Sequence, residues 1–430
     1  MSYRDIASKQ VLTWAVVAVG ARLPVAMAPL ALVFLVRERP GGYALGAILA
    51  AAYVIGEIVG APLLGMRMRP ERARTQMAAG LAAGAVGFVG LGAFPGAHAM
   101  VLGAFAFLAG AAPAATPGGL RTLLTGIVPK GAVTQALSAE SMLMSGIWAL
   151  SPAAVTGLAL GLAPRLPLLL AAALMGASVA GLWLLPAGWE ADVTDRGGVS
   201  MPRILARAWP VYVTGAASLS LLALAELVLP ALLEQRAIGV GWSGPLLTGF
   251  ALGSGLGAFV YGLRSWPGRL LTRSVVLMCG VSACVALVAL IPATGWIAAV
   301  LVVAGVLQAG AMLTRNLSLR EALPPSALAA GYSVMYAAVG VGYAATGSLA
   351  GALLHFVAPS TAILAGVGLT LLLTAVGSVG ESHRTSAGRS PSTHASGTEV
   401  VAVAGGTGPG AAPGPEGAPV RGGGDAEAGL

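Results

Sequence analysis

Five ionisable side chains lie inside long apolar stretches of this sequence: Arg22, Glu57, Arg121, Glu140 and Glu226. A charged side chain at the centre of a membrane helix costs about 2.5–3.5 kcal/mol even on insertion scales, so each of them needs a partner or a function. Glutamates in such positions can bind and release protons, and arginines can hold anionic groups or neutralise a glutamate. The sequence therefore predicts proton or ion chemistry inside a membrane.

The apolar stretches that carry these residues are long enough to cross a membrane as helices. Of the 430 residues, 57% are hydrophobic and only 9% are charged, whereas soluble domains carry roughly 25% charged residues. A hydrocarbon core needs about 20 apolar residues in a helix. We predict an all-α membrane protein with twelve transmembrane helices, at residues 11–36, 42–64, 75–94, 98–123, 134–161, 166–186, 208–233, 243–263, 271–292, 295–314, 327–356 and 360–380.

Basic residues fall mainly on one side of the predicted membrane. The loops on the side of the N-terminus hold most of the arginines and lysines, whereas the opposite loops hold only Arg37, Arg39, Arg165 and Arg236. An excess of basic residues is typical of cytoplasmic loops. Both termini are therefore predicted to be cytoplasmic, which requires an even number of spans.

A repeated loop motif indicates that the chain has two related halves. Each copy reads G-x-R-x-x-P-x-R and lies in a short basic loop between the second and third apolar stretches of its half. The two copies consist of Gly65, Arg67, Pro70 and Arg72, and of Gly262, Arg264, Pro267 and Arg269. A repeat of this kind predicts two related helical bundles, an arrangement typical of secondary transporters.

Changes in composition predict four regions. Residues 1–187 form an N-terminal six-helix bundle, residues 188–207 a polar cytoplasmic linker, and residues 208–380 a C-terminal six-helix bundle. Residues 381–430 are rich in Gly, Pro, Ser, Ala and Thr. Such a segment cannot bury enough apolar surface to offset the entropy of ordering, so we predict a disordered cytoplasmic tail.

These features resemble the major facilitator superfamily over about residues 10–380. The resemblance implies two six-helix bundles around a central cavity and transport by alternating access. The family's loop between its second and third helices reads roughly G-x-x-x-D-R-x-G-R-R, which Gly65, Arg72 and Arg74 match. Arg69 stands at the acidic position of that motif, so the sequence departs from the family where the acid takes part in a latch at the inner face.

A second resemblance concerns the direction of transport. Drug–proton antiporters of the superfamily carry a G-x-x-x-G-P pattern in their fifth helix. Here Ser151 and Pro152 stand in place of its Gly-Pro, with Gly146 upstream. Together with the stretches from Arg22 to Pro24, from Pro113 to Arg121 and from Ala136 to Glu140, this partial match resembles actinobacterial drug-efflux-type members, and the resemblance implies export.

In the resembled fold, the first, fourth, seventh and tenth helices line the central cavity. Arg22 and Glu226 would then face that cavity from opposite halves. An apolar cavity favours the neutral form of a carboxyl. Glu226 is therefore predicted to bind and release the coupling proton, while Arg22 tunes it or holds an anionic group. The alternative is a static ion pair that ties the two bundles together.

Two further pairs involve the other ionisable residues. Glu57 lies about one helical turn from Tyr53 on the same face, either as a second proton site or as a structural partner of Arg22, and both alternatives stay open. Arg121 and Glu140 come from consecutive antiparallel helices at the same depth, and they are predicted to form a structural ion pair.

Substrate contacts are predicted from polar and aromatic side chains in the helices. Tyr332 and Tyr336 share a helical face because they are four residues apart. Aromatic side chains in a bundle more often pack or lie at the membrane interface, which is the alternative interpretation of each of them. The substrate-cavity candidates are Arg22, Tyr53, Trp148, Gln308, Tyr332 and Tyr336.

Several other chemistries lack their sequence signatures. The sequence has no G-x-x-x-x-G-K-[ST] loop, no H-E-x-x-H or cysteine–histidine cluster and no G-x-S-x-G elbow. The formal net charge is +8, but the arginines are spread over many short loops and form no nucleic-acid face. We therefore expect no enzymatic activity, no metal, no cofactor and no nucleic-acid partner.

The sequence predicts a monomeric secondary active transporter of the bacterial inner (plasma) membrane, with the lipid bilayer and a small-molecule substrate as its partners. The predicted activity is proton-coupled export of a small organic compound, such as a drug or secondary metabolite, driven by the proton gradient. One alternative is a proton-coupled importer of a sugar or an organic acid. An alternative from another class is a non-transporting membrane sensor or scaffold whose output is the C-terminal tail.

Overall fold

The computed structural model describes residues 8–39, 42–189, 199–239, 242–264, 266–354 and 356–387. For residues 42–44, 226, 227, 351 and 384–387 it describes the backbone but not the side chains. Within these ranges the chain consists of helices joined by short connections, and it contains no β-strand.

The first half of the chain contains long helices with short turns between them. A 3₁₀ turn at Pro70–Arg72 precedes α3, and another at Lys130–Ala132 precedes α6. The helices are α1 (Lys9–Val36), α2 (Gly42–Arg67), α3 (Ala73–Ala93), α4 (Ala99–Ala111), α5 (Thr116–Ile127), α6 (Val133–Gly161) and α7 (Leu166–Leu182).

The second half begins with a short helix inside the predicted linker. A π-helical turn at Leu224–Val228 joins α9 to α10 without a break in the helix. A 3₁₀ turn at Pro325–Ala327 precedes α14. The helices are α8 (Met201–Arg207), α9 (Trp209–Ala223), α10 (Leu229–Gln235), α11 (Ser243–Leu263), α12 (Leu270–Leu290), α13 (Thr294–Ala322), α14 (Leu328–Leu353) and α15 (Pro359–Ala387).

All twelve predicted segments fall on helices. Ten helical segments of the described chain are long and apolar enough to cross a membrane, counting α4 with α5 as the single segment Ala99–Ile127. The two shorter apolar helices are α7 and α9, and α9 continues through the π-helical turn into α10. The all-α fold with membrane-length helices is therefore confirmed for the described residues, whereas the twelve spans in two bundles of six stay a prediction.

Two of the differences in predicted boundaries change the surroundings of polar residues. α13 continues to Ala322, so Arg315 lies inside a helix and not in a loop after residue 314. α15 continues to Ala387, so the predicted disordered tail is wrong for residues 381–387, while residues 388–430 lie outside the described residues. In both places polar side chains find partners inside the protein, which composition alone does not reveal.

The fourth predicted span is broken between α4 and α5. Pro113 cannot continue a helix because it has no N–H and its ring clashes with the preceding turn. Pro117 lies in the first turn of α5, where a missing N–H is tolerated. This break directs α5 towards α14, where Gly118 lies against the backbone of Ala329.

The two halves contact each other at the end of the molecule that carries the repeated loops, which we call the basic end and define by Arg67, Arg72, Arg264 and Arg269. There α2 and α5 pack on α14, and α6 packs on α11 and α13. Gly65 makes a close approach, since a Cβ on it would lie 2.6 Å from the Cβ of Ser333. Ser333 is fully buried, so the basic end is closed.

Candidate functional site

Three of the five ionisable side chains form one cluster, in which Arg22 and Glu140 are buried and Arg121 is partly buried. Arg22 Nη2 lies 2.5 Å from Glu140 Oε1, and Arg121 Nε lies 2.7 Å from Glu140 Oε2. The side chain of Glu140 is 1% exposed and that of Arg22 is 5% exposed. Each carboxylate oxygen therefore has its own arginine, and the cluster has two positive charges against one negative charge.

Three helices of the first half hold this cluster in place. Arg22 comes from α1, Arg121 from α5 and Glu140 from α6. Arg22 Nη2 also donates to the carbonyl of Pro117 at 3.1 Å, and the indole N–H of Trp14 donates to the carbonyl of Leu120 at 2.8 Å. These two contacts attach α1 to α5, so the break before α5 helps to set the position of the arginines.

Arg121 extends the cluster to the second half of the chain. Its Nη1 donates to Asn316 Oδ1 at 3.0 Å, and its guanidinium lies 5.3 Å from the centre of the Tyr332 ring. Asn316 belongs to α13 and Tyr332 to α14, and both are buried. The ion-pair cluster is therefore connected to the seam between the halves at the basic end.

Glu57 forms a second site on the same seam. Its Oε1 accepts hydrogen bonds of 3.4 Å from the hydroxyls of Tyr53 and Tyr336. Tyr53 lies one turn earlier in α2 and is fully buried, whereas Tyr336 belongs to α14 in the other half. One carboxylate oxygen thus has a phenol donor from each half of the protein.

A third network was missed by the sequence analysis. Arg315 is 1% exposed, and its Nη1 donates to Thr214 Oγ1 and to Glu381 Oε2, both at 2.9 Å. Its Nη2 donates to Ser318 Oγ at 3.1 Å. The polar run that contains Arg315 looks like a loop, but its helical continuation to Ala322 buries the arginine between α9 and α15.

The remaining cavity candidates have different surroundings. Gln308 is 4% exposed, and its Nε2 donates to both the carbonyl and the hydroxyl of Ser218 at 3.0 Å, which joins α13 to α9. Trp148 is 54% exposed on α6. Tyr332 packs against Arg121 as described, and Tyr336 contacts Glu57. Whether any of these side chains touches a substrate stays a prediction.

The structure changes the expected partners of the ionisable residues. The predicted contact between Arg121 and Glu140 is present, but Glu140 also binds Arg22, which the sequence analysis paired with Glu226 or Glu57. The reason is that the break before α5 brings α1, α5 and α6 together at one depth. Glu226 lies in the π-helical turn, and its side chain is outside the described residues.

The two copies of the repeated motif have different conformations. Gly65 and Gly262 are both buried, and the motif arginines Arg67, Arg72, Arg264 and Arg269 are exposed in both loops. Pro70 is buried in a 3₁₀ turn, whereas Pro267 is exposed and is followed by Gly268 at φ +85°. The identical spacing therefore fixes where the arginines stand but not the shape of the loop.

Metal-ligating side chains do not cluster in the described ranges, where no group of three or more His, Cys, Asp or Glu residues could hold an ion. Cys279 and Cys284 are free thiols.

Comparison with known proteins identifies the fold. No protein-family model and no curated protein matches the sequence. The crystal structure of the human organic anion transporter MFSD10 (TETRAN) matches with a TM-score of 0.68 and 14% identity, covering 88% of this chain and 100% of that one.

Two crystal structures of a bacterial homologue of the iron transporter ferroportin in the outward-facing state also match. The first has a TM-score of 0.65 at 13% identity and covers 89% of this chain and 99% of that one. The second, with soaked iron, has a TM-score of 0.68 at 15% identity and covers 90% of this chain and 100% of that one. The chain therefore shares the fold of major facilitator-type transporters, and identities this low establish the fold alone.

Proposed function

We propose that this protein is a secondary active transporter that moves a small organic compound by alternating access between the two halves of the chain. The observation that carries the proposal is that partly buried ionisable groups lie on the seam between the halves. Arg121 bonds to Asn316 across this seam, and Glu57 bonds to Tyr336. Because charges inside a membrane are costly, their position on a surface that can separate supports a role in transport.

The closed basic end supports a specific state of the cycle. With the predicted orientation, the basic end is cytoplasmic, so the described conformation is closed to the cytoplasm. Opening it requires the separation of Gly65 and Gly118 from α14 and the loss of the hydrogen bond between Arg121 and Asn316. The likeness to a structure in an outward-facing state is consistent with this assignment.

We propose Glu57 as a carboxyl that carries the coupling proton. Its two phenol donors come from different halves, so separation of the halves removes one of the two bonds that stabilise the ionised carboxylate. Protonation is thereby linked to conformation, which proton coupling requires. Glu226 is the second candidate, and its place in a π-helical turn supports this because such turns often occur at functional sites.

Export is the proposed direction, and it is supported by the partial fifth-helix match at Ser151 and Pro152. A second candidate is import of an organic anion. It is supported by the excess positive charge of the cluster of Arg22, Glu140 and Arg121, and one protein of the same fold is a human organic anion transporter.

The proposed energy source is the proton gradient, without a cofactor. We propose that the protein works as a monomer in the bacterial inner membrane with both termini in the cytoplasm.

The test uses the purified full chain in liposomes with a pH gradient imposed in each direction. Ethidium, a cationic drug, and p-aminohippurate, an organic anion, are the two probes, and internal pH is followed with a trapped dye. Accumulation of the probe in the direction opposite to proton flow indicates antiport and export. Accumulation of the probe in the same direction as proton flow indicates symport and import. A drug-susceptibility panel in a pump-deleted host extends the range of compounds.

The sensor or scaffold alternative is tested by deletion of residues 388–430. A transporter retains its transport activity without these residues, since α15 and the contact of Glu381 with Arg315 remain. Absence of transport of every compound, together with a cellular output that depends on the tail, would support the sensor or scaffold and reject our proposal.

A further inference from the structure

A cavity of about 200 Å³ lies at the basic end, where the second motif copy connects α11 to α12. Its lining is almost entirely apolar and includes Trp266, Val276 and Leu277, and Arg269 and Arg273 border it. We propose that this cavity binds one anionic phospholipid, with the phosphate beside the two arginines and an acyl chain along α12.

Hydrogen bonds within the loop preform the cavity. The indole N–H of Trp266 donates to the carbonyl of Tyr261 at 3.0 Å, and the two rings stack with their centres 5.3 Å apart. Arg273 donates to the hydroxyl of Tyr261 at 3.1 Å and to the carbonyl of Gly268 at 3.0 Å. Gly268 has a φ of +85°, which favours glycine. A ligand would therefore enter a site whose walls are already ordered.

The arginines that border the cavity have the charge that an anion requires. The Nε of Arg273 is buried and has no hydrogen-bond partner among the described residues. Arg269 and Arg264 are exposed, and neither belongs to any of the four ion pairs found in the described part of the chain. Basic pockets between helices at the cytoplasmic side of a membrane bind anionic headgroups.

The apolar side of the cavity points to a lipid and not to a soluble anion. Val276 is 64% exposed one turn beyond Thr272, so it continues the cavity along the outer surface of α12. Trp266 is 37% exposed beside the arginines, and tryptophan is enriched at the level of lipid headgroups. A phosphate at Arg269 would place the chain attached to it beside Val276.

The first motif copy has the same arginine but not the same cavity-forming side chains. At the same spacing from the motif glycine, Arg69 stands in place of Trp266 and Gln76 in place of Arg273. Gln76 closes its own loop, since its Oε1 accepts from the Arg69 N–H at 2.7 Å and its Nε2 donates to the Arg67 carbonyl at 3.0 Å. Arg72 is exposed like Arg269, which makes it a matched control.

Native mass spectrometry of the full chain, purified with phosphatidylglycerol or phosphatidylcholine added at equal concentration, measures the bound lipid. We expect phosphatidylglycerol to bind preferentially. Arg269→Gln should reduce the association constant of phosphatidylglycerol about fivefold, which is the factor for one basic side chain beside an anionic headgroup. Arg72→Gln should leave it unchanged. Val276→Trp should reduce binding without any change of charge, because it fills the path of the acyl chain.

Four results would overturn the proposal. An equal loss in Arg72→Gln and Arg269→Gln would indicate diffuse attraction to a basic surface, and equal binding of phosphatidylcholine would remove the role of the arginines. Inorganic phosphate and glycerol 3-phosphate distinguish the source of the anion. If either displaces phosphatidylglycerol at similar concentration, or if Val276→Trp binds normally, the site recognises a phosphate group and not a lipid.

Discussion

Arg121 in α5 donates a 3.0 Å hydrogen bond from Nη1 to Oδ1 of Asn316 in α13, and this bond joins the two halves of the chain. The same guanidinium donates from Nε to Glu140 at 2.7 Å within the first half. A motion that opens the basic end must break the bond to Asn316, but it can leave the bond to Glu140 intact. Asn316 therefore offers a way to disturb the seam without removing a charge.

We expect Asn316→Ala to favour the state with an open basic end. A hydrogen bond to a charged group contributes about 1.5–3 kcal/mol, so the ratio of open to closed molecules should rise by about tenfold or more. Ser333, fully buried beside Gly65, can be changed to cysteine in a variant whose own two cysteines are replaced. The rate of thiol labelling then measures the opening.

Thr248→Ala, at an exposed position of α11, is the control for this experiment. In the same background, the cysteine introduced at position 333 should be labelled as slowly as in the parent. Equal labelling of the Asn316→Ala variant and its parent would mean that this bond does not hold the basic end closed.

The buried cluster predicts an order of stability among its variants. Glu140→Gln leaves Arg22 and Arg121 without a counter-charge, and loss of one partner of a buried ion pair costs about 3–5 kcal/mol. Arg22→Met leaves the neutral pair of Arg121 and Glu140, so it should cost less. Glu38→Gln, at an exposed glutamate, should change stability by about 1 kcal/mol or less.

Thermal unfolding of the purified variants in one detergent measures this order. Unfolding is monitored as the loss of the monodisperse peak. If Arg22→Met unfolds at a lower temperature than Glu140→Gln, the charge balance of the cluster is not what stabilises it.

The sequence correctly predicts the features that depend on one helix or on two consecutive helices. The apolar stretches predicted the helices because their length must match the membrane. The contact between Arg121 and Glu140 followed from two consecutive antiparallel helices that carry opposite charges at one depth. Tyr53 and Glu57 share a hydrogen bond because they are one turn apart on α2.

Features that depend on three or more helices could not be predicted in the same way. The sequence offered Glu226 and Glu57 as partners of Arg22, whereas the contact with Glu140 depends on how α1, α5 and α6 pack. The contact between Tyr336 and Glu57 depends on the relative position of the two halves, which sequence periodicity does not encode. The polar neighbours of Arg315 predict a loop, although α15 supplies its partner.

Glu57→Gln should abolish proton-driven accumulation and preserve exchange of substrate down its own gradient. The amide has nearly the shape of the carboxyl and can still accept from Tyr53 and Tyr336, but it cannot carry a proton. Tyr336→Phe removes only the donor from the second half and should weaken coupling without abolishing it. Accumulation and exchange in liposomes are the two measurements, with Glu38→Gln as the matched glutamate control.

Normal accumulation in Glu57→Gln, combined with its loss in Glu226→Gln, would assign the coupling proton to Glu226. Loss of exchange as well as accumulation in Glu57→Gln would instead indicate a structural role for Glu57.

The end of α15 provides a prediction about where the chain can be shortened. Truncation after residue 387 leaves Glu381 bound to the buried Arg315, whereas truncation after residue 380 removes that partner. The shorter protein should therefore unfold at a clearly lower temperature, and Glu381→Gln in the full chain should reproduce much of this loss, because an uncompensated buried charge is costly. Truncation after residue 387 should leave the unfolding temperature unchanged. If both truncated proteins unfold like the full chain, the contact between Arg315 and Glu381 contributes nothing to stability, and the polar end of α15 is dispensable.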